Sequence, residues 1–190
     1  MQEIETFYPA NKKEWRQWLQ ENHDKKQSVM LMCYKLKAGV PTISWSDAVD
    51  EALCFGWIDS TRRTLDEERF IQLFTRRKPT STWSKVNKDK VARFIADGTM
   101  TAAGMKTIDI AKQNGSWTIL DEVEELNIPA DLEKEFSKHK GSKDFFTGLS
   151  KSTKKGMLQW IVMAKRDETR QNRITEIVEK AALQQKPKQF

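Results

Sequence analysis

The chain has 190 residues, of which 38% are hydrophobic and 32% charged, and a net charge of +6 at neutral pH. That length fits one domain with a sizeable core. The lack of any apolar run near the ~20 residues needed to cross a bilayer excludes a helical membrane protein.

Residues 1–6 carry acidic side chains and no apolar stretch, so no secretory leader is expected. Trp15, Trp18 and Leu19 recur at helical spacing and predict a short amphipathic helix over Asn11 to Asn22. Ser28 to Leu36 is apolar on both alternating faces and suits a covered strand. A turn follows over 37–41. Ser44 and Asp47 form a capping box for a helix whose stripe is Trp45, Ala48, Val49, Ala52 and Leu53, with Gly56 as its stop.

From Trp57 to Leu65 the chain alternates, which places Trp57, Asp59, Thr61, Arg63 and Leu65 on one strand face. Asp66 to Glu68 reads as a hairpin turn and Phe70 to Arg77 as the returning strand, ended by Pro79. Helices then run from a Ser84 or Asn87 cap to Gly98 and from a Thr101 cap to about Gly115. Residues 116–130 read as an irregular connection. Helical segments follow at 131–138, from Ser142, from Ser150 and from Asp167, and 186–190 read as a frayed tail. The order predicts an α+β fold: one domain over 1–185 with a small, mostly antiparallel sheet in 1–115 and helices in 131–185.

Charge is concentrated. Residues 61–95 hold ten basic and four acidic side chains, a balance of +6 that equals the net charge of the whole chain. Within that stretch Arg76, Arg77 and Lys78 lead into Thr80-Ser81-Thr82-Trp83-Ser84, ahead of a predicted helix. Free N–H groups and the helix dipole favour an anion at such a terminus, and arginines add bidentate donors. Trp57 and Trp83 are candidate stacking walls. The expected ligand-binding set is therefore Trp57, Asp59, Arg62, Arg63, Arg76, Arg77, Lys78, Trp83, Ser84 and Asn87. The competing reading is a solvated basic hairpin whose hydroxyls cap the helix while Trp83 sits in the core. For Asp59 the choice lies between a general base and an ion-pair partner of Arg62, Arg63 or Arg77.

Cys33 and Cys54 form neither a disulfide framework nor a metal-ligand spacing. Their apolar contexts fit reduced thiols in a cytoplasmic protein. Cys54 lies at a helix end rather than a start, against nucleophilic use. His23 is more readily a cap than its base, and no cluster supports a metal. No cofactor is expected.

Glu51 to Asp59 together with Ser81 to Asn87 resembles the YdeI/OmpD-associated, or bacteriocin-protection, family. Gly98 to Gly104, Leu149-Ser150, Trp160-Ile161, Ala164-Lys165, Glu168-Thr169-Arg170 and Arg173-Ile174 extend the resemblance. Where many members read Phe-Thr-Pro-Arg, this chain has Phe74-Thr75-Arg76-Arg77, which adds a charge and a backbone donor. The resemblance implies a role in resistance to envelope-directed peptides and an association with porins, without an assigned activity or catalytic residues. Residues and resemblance together predict a binding protein for a small anionic or phosphate-bearing ligand. Nucleic-acid binding over the same basic face is the alternative, and an enzyme using Asp59 or Cys54 is the more distant one. A protein partner or a second copy stays open.

Overall fold

The computed structural model describes residues 4–190 and divides into two compact units, 1–117 and 118–190. The α+β expectation holds, with a four-stranded, mostly antiparallel sheet and helices concentrated in the C-terminal half.

In the first unit, β1 (Thr6–Phe7), β2 (Ser28–Tyr34), β3 (Trp57–Thr64) and β4 (Arg69–Arg76) form one sheet in the order β1-β2-β4-β3. Only the short β1 runs parallel to its neighbour. Helices α1 (Lys12–Asn22) and α2 (Trp45–Cys54) pack together. Their apolar stripes meet the sheet through Trp15 against Phe74 and Trp18 against Trp57. Asn11 caps α1 at the Glu14 N–H, and Ser44 caps α2 at the Asp47 N–H. Gly56 ends α2 at φ +73°, a conformation that only glycine adopts without strain.

Two details depart from simple alternation. A bulge between Asp59 and Arg62 shifts the β3–β4 register, so that Arg62 pairs with Gln72 and Arg63 with Ile71. A bulge adds one residue to one strand and reverses which residues share a face beyond it. Asp59 therefore shares its face with Trp57 and Arg62, and Arg63, expected beside it, points to the opposite side. Trp45 also leaves its expected place in the apolar stripe and is 52% exposed.

The Arg76 N–H donates to the Gln27 carbonyl at 3.1 Å, a bond that a proline there would forbid. Helix α3 (Lys85–Ala96) starts at a Ser84 cap and α4 (Ala102–Gln113) at a Thr101 cap. Gly104 lets α4 close on the end of α2, because a Cβ at that position would overlap the Cys54 carbonyl.

The second unit contains α5 (Asp121–Glu124), α6 (Ala130–Phe136), α7 (Ser142–Gly148), α8 (Lys151–Val162) and α9 (Asp167–Ala182). Its core gathers Leu132, Phe146, Met157, Ile161, Ile174 and Val178. Helix α5 lies inside the stretch read as irregular. Residues 186–190, read as frayed, are instead docked: Pro187 is buried, and the Phe190 ring meets Trp160 edge-on at 5.7 Å. Gly156 leaves room for that ring, since a Cβ there would stand 3.0 Å from it. Among the described residues no helix is long and apolar enough to cross a membrane.

Candidate functional site

The predicted site residues separate into three groups. Trp57 and Trp83 are core residues, 0% and 1% exposed. Trp57 donates its indole N–H to the His23 carbonyl, and Trp83 packs against Trp117 with ring centroids 5.0 Å apart. Trp57 consequently offers no open stacking wall. Ser84 and Asn87 serve the helix start, with the Asn87 N–H donating to Ser84 Oγ at 3.3 Å.

The second group is solvated charge. Arg62, Arg63 and Lys78 are exposed. The Arg62 guanidinium lies 3.7 Å over the Phe70 ring, so its stem and plane are held while its donors face water. Arg76 donates Nε to the Lys26 carbonyl at 2.7 Å and is half-buried.

Arg77 and Asp59 form the third group, and both are unusual for their surroundings. Arg77 is only 8% exposed. Its guanidinium stacks 3.7 Å over Trp83, and Nη2 donates to the Thr82 carbonyl at 2.6 Å. Nε is buried without a hydrogen-bond partner, and no carboxylate among the described residues lies within ion-pair distance. Burial lowers the Arg77 pKa to about 10, and the charge of Asp59 partly opposes that shift. A buried cation is ordinarily paired, and a buried donor is ordinarily satisfied. Arg77 meets neither rule.

Asp59 faces Arg77 electrostatically, but its own hydrogen bonds go elsewhere. Oδ2 accepts the Trp45 indole N–H at 2.9 Å and the Gln72 amide at 3.4 Å. Gln72 is itself buried and also donates to the Ser60 carbonyl at 2.8 Å. Asp59 thus fixes the orientation of the exposed Trp45 ring rather than pairing with an arginine.

Two contributors escaped sequence reasoning. Trp45 lay at a position that suited the apolar stripe of α2, so nothing distinguished it from core. Gln72 did leave a signal: it interrupts the apolar face Phe70–Phe74 of β4 at a position where only a satisfied polar group is tolerated.

Beside the buried arginine, α3 opens with the N–H groups of Lys85 and Val86, which as first-turn donors have no intrahelical acceptor. The segment thus presents a buried cation and a helix start, both suited to an anion. No group of His, Cys, Asp and Glu among the described residues could hold a metal ion. The two cysteines are buried and free, and burial pushes both thiols up to about 11, which removes the thiolate needed for nucleophilic attack near neutral pH.

Residues 7–107 match the family described as Domain of unknown function (DUF8412). Residues 125–184 match the family described as Bacteriocin-protection, YdeI or OmpD-Associated, which supports the resemblance read from the sequence. The first match contains β2, β3, β4 and every residue of the candidate site, and the second lies within the helical unit. No curated protein and no solved structure matches the chain.

Proposed function

We propose a function from the site itself, on the premise that the chain belongs to the family described as Domain of unknown function (DUF8412), a description that specifies no activity. The chain is a binding protein for a small anionic or phosphate-bearing ligand, held where Arg77, the Thr82–Ser84 segment and the start of α3 converge. The observation that carries this reading is Arg77, a cation 8% exposed, with one orphaned donor and no ion-pair partner among the described residues. Placing an anion there supplies the missing acceptor and offsets the cost of the buried charge. Lys78 and Arg76, its neighbours in the chain, add positive potential to the region. Binding rather than bond chemistry is the role, a reading supported by the two buried thiols, both raised to about 11 and so protonated near neutral pH.

The setting for this role is the cytoplasm, where the free thiols of Cys33 and Cys54 stay reduced. The wider role is a contribution to bacteriocin or stress resistance, a reading supported on the bacteriocin side by the description of the family matched over residues 125–184.

The test is a thermal-shift screen against inorganic phosphate, sugar phosphates, nucleotides, lipid headgroups and short oligonucleotides at two salt concentrations. Stabilisation by one compound that survives added salt and disappears in Arg77→Met supports the reading. Stabilisation by any oligonucleotide, steeply lost with salt, would replace it with nucleic-acid binding by the exposed Arg62, Arg63 and Lys78.

A further inference from the structure

The sheet ends on an open edge. β3 is last in the order β1-β2-β4-β3, so no described strand pairs with its outer side. Residues 60–64 are all exposed along that edge. An unpaired strand edge presents a row of N–H and C=O groups, a template for an added extended chain. The bulge does not end the strand. Gln72, buried on β4, donates to the Ser60 carbonyl at 2.8 Å, and pairing resumes from Arg62 to Thr64.

Two side chains beside this edge are fixed in place while their binding groups stay open. The Trp45 indole N–H is tied to Asp59 of β3 at 2.9 Å, and Gln72 holds the same carboxylate oxygen. The Trp45 ring nevertheless stands half in water, so a polar pair is committed to orienting an exposed tryptophan. The Arg62 guanidinium is held over Phe70. Neither Arg62 nor Arg63 has a carboxylate within ion-pair distance among the described residues. Trp and Arg are the types that dominate binding energy at interfaces, and holding them in place beforehand lowers the ordering cost of association.

Charge selects the occupant. Antiparallel pairing of two β3 edges from two copies would bring the arginines of both together, and like charges directly opposite destabilise a ladder. An acidic strand meets the opposite condition.

We infer that the β3 edge binds an extended acidic segment of a partner protein, added to the four-stranded sheet as a further strand. Its backbone would pair with β3. Adjacent carboxylates would meet Arg62 and Arg63, which point to opposite faces, and an apolar side chain would cover Trp45.

The experiment records amide and indole resonances of the full chain during titration with a blocked octapeptide. The peptide carries Glu-Glu at its centre with valine and threonine on either side, and its Lys-Lys counterpart is the control. Saturable shifts over residues 58–64 and at the Trp45 indole N–H are expected, together with slower amide exchange along β3. The Lys-Lys peptide should bind at least about tenfold more weakly. Arg62→Gln/Arg63→Gln should keep a melting temperature near that of the parent, because both side chains are exposed. The same double variant should bind the acidic peptide about tenfold or more weakly. Equal binding of the Lys-Lys peptide, equal binding by the double variant, shifts without slowed exchange, or no saturable shift would each overturn the assignment. So would a dimer of the chain alone paired through β3, or tighter binding of a short oligonucleotide at the same resonances.

Discussion

Replacing Arg77 by Met separates a ligand-binding arginine from a structural one. Met keeps most of the side-chain length and removes the charge. The fall of the Arg77 pKa from the ordinary guanidinium range to about 10 means that holding the charged form in the folded state costs on the order of 3 kcal/mol. Against that relief stands the loss of the charged hydrogen bond to Thr82, about 1.5–3 kcal/mol. Loss of the desolvated stack on Trp83 removes about 2 kcal/mol more, and a thioether on the indole restores about 1 kcal/mol. The terms nearly cancel, so urea unfolding at neutral pH should place Arg77→Met within about 1 kcal/mol of the parent, whereas breaking a buried ion pair costs ~3–5 kcal/mol. Anion-dependent stabilisation should vanish in the same variant. A destabilisation above about 3 kcal/mol would show that Arg77 is a structural keystone and refute the reasoning. The pH dependence carries a definite sign. The folded pKa lies below the unfolded one, so the penalty is full below about pH 10 and lifts above it. The parent should therefore gain on the variant as pH rises beyond 10, by on the order of 1 kcal/mol near pH 11.

Removing the charge that opposes the anion should strengthen binding: Asp59→Asn is expected to tighten phosphate binding a few-fold by calorimetry, and weaker binding would mean that Asp59 helps hold the ligand. Gly104→Ala forces a methyl into the Cys54 carbonyl at the α2–α4 contact and should cost about 2–3 kcal/mol in chemical denaturation; an unchanged midpoint would deny that contact. With both thiols buried and raised to about 11, Cys33 and Cys54 should react with an aromatic disulfide at pH 8 only as fast as the protein opens. Immediate labelling of either would contradict the packing around it.

The elements that local chemistry specifies were readable in the sequence. Ser44, Ser84 and Thr101, each offered as a cap, accept the N–H three residues on, and Gly56 takes the left-handed turn expected of it. What depends on register was not readable. Alternation assigned Arg63 to the face of Asp59, and one extra residue in β3 gave that place to Arg62. Burial was legible only in part. The periodicity of α2 suited Trp45 to the core, yet its N–H reaches across to β3 and leaves the ring in water. Of the two tryptophans offered as stacking walls, Trp57 turned out to be a core residue and Trp83 the cation's stacking partner. The stretch from 74 to 84 did mark the cation and the helix start. Nothing local distinguishes an arginine that will be buried without a partner from its exposed neighbours at 76 and 78, because that difference is set by the packing of Trp83 and the loop before α3.

The most direct test of the central claim is a nuclear magnetic resonance titration with inorganic phosphate at constant ionic strength, read at the Arg77 Nε–H and at the amides of Lys85 and Val86. The account predicts saturable shifts confined to that cluster and abolished in Arg77→Met. Shifts spread without saturation over Arg62, Arg63 and Lys78, with Arg77 silent, would contradict it.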